Sequence, residues 1–149
     1  MLADNIKAKG LVSFVLTDAE GNVKNQEDHN LVVNGGLAFI ASRLYNTPAV
    51  MSHIAVGTNT TSAAGTDTAL GSESARVGLD SATVATTNVT NDTVQYVATF
   101  GPGTGTAALT EAGIFNASTG GTMLARTVFP VINKGAGDTL TITWKVTVA

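Results

Sequence analysis

The last segment of the chain, DTLTITWKVTVA, alternates without a fault: Leu140, Ile142, Trp144, Val146 and Val148 are separated by Thr141, Thr143, Lys145 and Thr147. Successive side chains of a strand point to opposite faces, so a period of two puts every large apolar group on one side and the hydroxyls on the other. A helix does not sort this pattern. One face of the strand must meet a core, and the chain has to supply a second layer to cover it.

Most of the remaining sequence offers that layer. LVSFVLTD reads as the first strand, with Phe14 and Leu16 on one face and a turn at AEGN. HNLVVN is a short extended piece after the polar run KNQED. MSHIAVG is a buried strand, TVATTNVTNDTVQYVATFG a hairpin turning at Thr90-Asn91-Asp92, and EAGIFNASTGGTMLARTVF a hairpin turning at Ser118 to Gly121. The one helical signal is NGGLAFIASRLYNTP, where Asn34 suits an N-cap, Leu37, Ile40, Ala41 and Leu44 recur at helical spacing, and Pro48 closes the run. Six to eight short strands and one short helix near residues 35–45 predict a mainly β fold, an antiparallel β-sandwich or jelly-roll-like barrel. Residues 1–10 read as a polar N-terminal arm and 11–149 as a single β-rich domain. Phe14, Phe39, Ile54, Val56, Ile114, Phe115, Leu140, Ile142 and Trp144 are the expected core.

Charge is scarce: 13% of the 149 residues are Asp, Glu, Lys or Arg, about half the usual share. The surface is therefore largely hydroxyl, amide and backbone, or is covered by other chains. A net charge of −3 with scattered basic residues leaves no basic stripe to neutralise phosphates, so direct nucleic-acid binding is not expected. No run approaches the length of an apolar membrane span, and MLADNIKAKG lacks the order of a signal peptide. The chain has no cysteine, which removes disulfides and thiolate chemistry.

HIAVGTNTTSAAGTDTALGSESAR, residues 53–76, tests the remaining chemistry. Its glycines have neither the GxGxxG nor the GK[ST] spacing that lets a loop cradle phosphate. FGPGTGT at 100–106 fails in the same way and reads as a loop tip. His53 has no acidic neighbour at metal-ligand spacing and His29 has only the acidic pair Glu27-Asp28 beside it, and no GxSxG elbow singles out a serine. These observations predict no enzyme, no cofactor and no metal.

The few charges set among small or apolar residues are more telling. Glu73 and Arg76 are three apart, Glu111 precedes the strand AGIF, and Arg126 lies inside MLARTVF. If these strands are neighbours, Glu111 forms a half-buried ion pair with Arg126 or with Arg76, and Asp67, Glu73 and Arg76 fasten the far end of the 53–76 crossover. Ligand binding by the same carboxylate and guanidinium is the competing reading. Uncharged, threonine-rich strand faces suit contacts between identical copies as well as ordinary solvent exposure.

NLVVNGGLAFIASRL, then HIAVGTNTTSAAGTDTALGSESAR, then LTEAGIFNASTGGTMLARTVFPVINKGAGDTLTITWKVTV resembles a recurrent module of tailed-bacteriophage structural proteins, the tail-fibre or baseplate and capsid decoration (cement) families. The resemblance spans about residues 30–149 and none of its motifs is catalytic. It implies a β-rich virion component, assembled in the host cytoplasm, that works by binding, usually as a homotrimer. With no room after the last strand for a fibre shaft, the expectation is a cement protein on the major capsid protein. Lys7 and Lys9 of the arm and Pro102 and Thr104 of the 101–106 loop are the expected partner contacts. The alternatives are a short tail, baseplate or tail-fibre adaptor, and a carbohydrate- or receptor-binding sandwich module.

Overall fold

The computed structural model describes residues 6–148. Nine strands form one curled antiparallel sheet: β1 (Ala8–Thr17), β2 (Val23–Val32), β3 (His53–Gly57), β4 (Glu73–Gly78), β5 (Ser81–Ala85), β6 (Thr93–Phe100), β7 (Ala107–Phe115), β8 (Met123–Lys134) and β9 (Thr139–Val148). A single helix, α1 (Asn34–Ser42), follows β2. The spatial order is β4-β3-β7-β8-β2-β1-β9-β6-β5. The fold is mainly β, as the alternating segments predict.

β2 is the corner of the sheet. Val23 to Asn30 pair along β1, whereas Leu31 and Val32 pair with Arg126 and Ala125 of β8. The curl thereby lays β1, β9, β6 and β5 over β8, β7, β3 and β4, with one continuous core between them. Val12, Phe14, Phe100, Leu140, Ile142 and Trp144 enter from the first layer and Ile54, Val56, Leu109, Ile114 and Phe129 from the second. The rings of Phe14 and Phe129 meet across the gap with centroids 4.3 Å apart. Trp144 is fully buried and donates its indole N–H to Asn30 Oδ1 at 2.8 Å. Of the expected core, Phe39 is partly buried against this cluster and the other eight are buried in the two hydrophobic clusters of the fold.

Four expectations change. β1 begins at Ala8, so residues 8–10 belong to the sheet and not to an arm, because they pair with Val148, Thr147 and Val146 of β9; residues 1–5 of the expected arm lie outside the described residues. The polar run KNQED is strand. Its inward positions, Gln26 and Asp28, are only half-buried, so the run needs no apolar alternation. LGSESARV contains β4, a ninth strand, held as an edge by pairing with β3.

The helix is rotated from its expected face. Val33 is the N-cap, and Asn34 lies inside the helix with its backbone N–H on the Gly65 carbonyl at 2.8 Å. Gly36 is the buried helical residue, so close to β8 that a Cβ there would collide with the Leu124 carbonyl. That approach turns Phe39 and Ile40 toward the core and leaves Leu37 and Leu44 outside, 49% and 90% exposed. The helix stops at Ser42, whose hydroxyl bonds back to the Phe39 carbonyl, well before Pro48.

Candidate functional site

The densest cluster of charge lies on the outer face of the second layer. Cross-strand pairing sets Arg76, Ala55, Gly113 and Arg126 in one row over β4, β3, β7 and β8. The neighbouring row holds Gly57 opposite Glu111. Glu111 follows a register shift in β7 where Phe129 to Val131 of β8 drop out of the ladder. Pro130, having no N–H to donate, sits in that gap.

The crossover 58–72 folds back over these rows as a lid. Leu70 closes a small apolar cluster with Val33, Ala55, Phe115 and Met123. Gly57 leaves room for it: a Cβ at that position would strike both the Ser72 carbonyl and the Glu111 carboxylate. Beneath the lid, Glu111 is fully buried and every lone-pair direction is in use. Its Oε1 accepts from the backbone N–H groups of Ser72 at 2.7 Å and Asn59 at 3.2 Å. Its Oε2 accepts from Gly71 N–H at 2.9 Å and from Arg126 Nη2 and Nε at 2.9 and 3.1 Å.

Arg126, 3% exposed, spends its remaining donors on the same loop. Nη1 reaches Asp67 at 3.0 Å and Nη2 reaches the Thr61 carbonyl at 3.0 Å. Asp67 in turn accepts from Ala64 N–H at 2.9 Å. The cluster therefore reads as a fastening: a carboxylate that holds both ends of the loop by their backbone N–H groups, and a guanidinium that ties its middle, at Thr61 and Asp67, to the sheet.

The four residues expected to pair divide into two separate pairs. Glu111 meets Arg126. Arg76 meets Glu73 at 2.7 Å, lies over the Phe115 ring at 3.8 Å, and donates to the Ala117 and Gly120 carbonyls, pinning the β7–β8 turn. Of the two arginines that suit Glu111, register selects Arg126, because Arg126 lies on β8 beside β7 whereas Arg76 lies on β4, across β3. Asn59, whose N–H and carbonyl bond Glu111 and the Thr110 hydroxyl, escapes sequence reasoning; its one signal is its place two residues beyond a strand-ending glycine.

The four expected partner contacts do not form one patch. Lys9 pairs with Thr147 and Lys7 precedes it, both exposed, whereas Phe100, next to the 101–106 loop, pairs with Leu140 at the other end of β9. Those ends are separated by about 24 Å at the usual rise of a strand. Pro102 is exposed and Thr104 half-buried, and their loop is held by Gly103 N–H to the Ala136 carbonyl and by the buried Lys134 ammonium on the Gly101 carbonyl at 2.9 Å. Burial pushes the Lys134 amine below its ordinary value, with Asp138 opposing.

Other openings are modest. A groove of about 430 Å³ lies between α1 and β6–β9, lined by Phe39, Ile40, Val94, Tyr96 and Val146. At its rim the Asp92 carboxylate accepts N–H groups from Val89, Thr87 and Asn88 and is held far below the usual carboxylate range. His53 Nδ1 lies 2.7 Å from the Ser52 hydroxyl. Among the described residues no three His, Asp or Glu gather as a metal site would require. Tyr45 is the strongly exposed aromatic, at 83%. No protein-family model, curated protein or solved structure matches the chain.

Proposed function

We propose that this protein is a structural component of a tailed-phage particle, a decoration protein that binds the assembled head as a trimer and stabilises it. The observation that carries this reading is the internal commitment of the Glu111–Arg126–Asp67 cluster. The residues most like an active site spend their hydrogen bonds on one another and on the 58–72 loop, which supports a scaffold that acts through its surface. The three segments that resemble phage structural modules also converge on this cluster: one leads into α1, one forms the lid, and one supplies both Glu111 and Arg126.

Stabilisation then follows from linkage, since a protein that binds the assembled shell and not its dissociated subunits shifts the equilibrium toward the shell. Three copies held together raise the effective concentration of each contact. Quantitative mass spectrometry of purified particles tests the assignment. Copies in proportion to the major capsid protein are expected. A number set by tail symmetry would assign the chain to a tail or baseplate adaptor, and absence from the particle would end the reading.

A further inference from the structure

The two edges of the sheet differ in kind. β4 carries Glu73 and Arg76, with the arginine reaching over its neighbours to the β7–β8 turn. β5, Ser81-Ala82-Thr83-Val84-Ala85, carries no charge, no proline and no register shift, and has no second neighbour among the described residues. Charges, prolines and bulges are the usual means by which an edge avoids pairing with another chain. β5 has none of them.

Its inner face is also unfinished. Val84, Val94 and Val146 form one cross-strand row over β5, β6 and β9. Exposure rises along that row from 5% at Val146 through the half-buried Val94 to 62% at Val84. The apolar face of the first layer thus runs out to the edge and stops there uncovered.

We infer that β5 pairs antiparallel with β5 of a second copy about a twofold axis through Thr83. The strand is complementary to itself in this register. Val84 falls opposite Ala82 of the second copy and Ala82 opposite its Val84, so the inner row continues from one molecule to the other. Ser81 and Ala85 face each other on the outer side, and Thr83 meets its own equivalent, a favourable cross-strand pair. The nearest charge, Asp80, falls opposite Thr86 and is already occupied by the Thr99 hydroxyl at 2.6 Å. A twofold axis would set a charge at Thr83 against its own copy; β5 carries no charge there or elsewhere, so nothing in the strand repels its partner. The pairing rests on the β5 edge and not on the phage reading, and a trimer of the kind proposed above accommodates it as two trimers joined through their β5 edges.

The absence of cysteine makes the register directly testable by single-cysteine substitution in the full chain. Directly opposed residues of an antiparallel pair have Cα atoms about 4.5–5.5 Å apart, within disulfide range. Thr83→Cys is expected to form an intermolecular disulfide at least tenfold faster than Val131→Cys, an exposed control on β8. Ala82→Cys mixed with Val84→Cys should cross-link as the heterodimer and much less with itself. Sedimentation velocity should find a dimer, or a larger assembly containing it, and Thr83→Lys should raise its dissociation constant at least tenfold by opposing like charges. A monomer at micromolar concentration overturns the inference, and so does an oligomer in which the Thr83→Cys variant cross-links no faster than the Val131→Cys variant. Thr83→Lys protein that no longer dimerises but still binds heads would leave the phage reading intact.

Discussion

Glu111 accepts five hydrogen bonds, two from Arg126 and three from backbone N–H groups of the crossover. Its loss therefore orphans a buried guanidinium and three amides together. Removing one partner of a buried pair costs about 3–5 kcal/mol, and Glu111→Gln and Arg126→Met are each expected to lower unfolding free energy by that order in urea titrations. The double variant should lose less than the sum, by about 0.5–3 kcal/mol of coupling. It should not recover fully, because the amides of Asn59, Gly71 and Ser72 still lack their carboxylate. Additive losses would mean that the two side chains do not act together. Sequence spacing marks Glu111, Arg126, Glu73 and Arg76 as unusual, since each is a charge inside small or apolar residues. Which arginine meets Glu111 is a property of register, which local sequence does not encode.

At the scale of elements, legibility follows how fully an element is covered. β9 is covered on one face and exposed on the other, and its alternation holds as far as Val146. It breaks at Thr147, buried because its hydroxyl meets Thr93 and Thr87 beneath the 86–92 loop. β2 alternates in burial from Gln26 to Val32, but its half-buried positions Gln26, Asp28 and Asn30 are polar, so no hydrophobic period shows. α1 misleads because its contact passes through Gly36, a residue that hydrophobic spacing ignores. The lid is legible as a crossover but not as a cover, since the small outer cluster beneath it exists only once β3, β7 and β8 are adjacent. Leu70, 9% exposed, is the one large apolar side chain that the lid contributes to that cluster. Leu70→Ala is expected to speed amide exchange in 58–72 at least tenfold while leaving β1 and β9 protected, the signature of local opening. Uniform acceleration throughout the chain would instead make the lid part of the global folding unit.

The whole molecule is a curled sheet whose interior is closed by aromatic contacts and whose outer face is closed by its own crossover. Its polar clusters stabilise loops, and its exposed surfaces are the β5 edge, Leu37 of the helix with Leu44 just beyond it, and the two ends of the sheet where Lys9 and Pro102 lie. Under the proposed reading, contacts made through these surfaces are what would stabilise the particle. The most direct test is to mix the purified protein with expanded heads assembled without it, sediment them, and record the temperature at which they release DNA. Saturable binding with a higher release temperature is the predicted result; heads that sediment without the protein and release DNA at an unchanged temperature would contradict it.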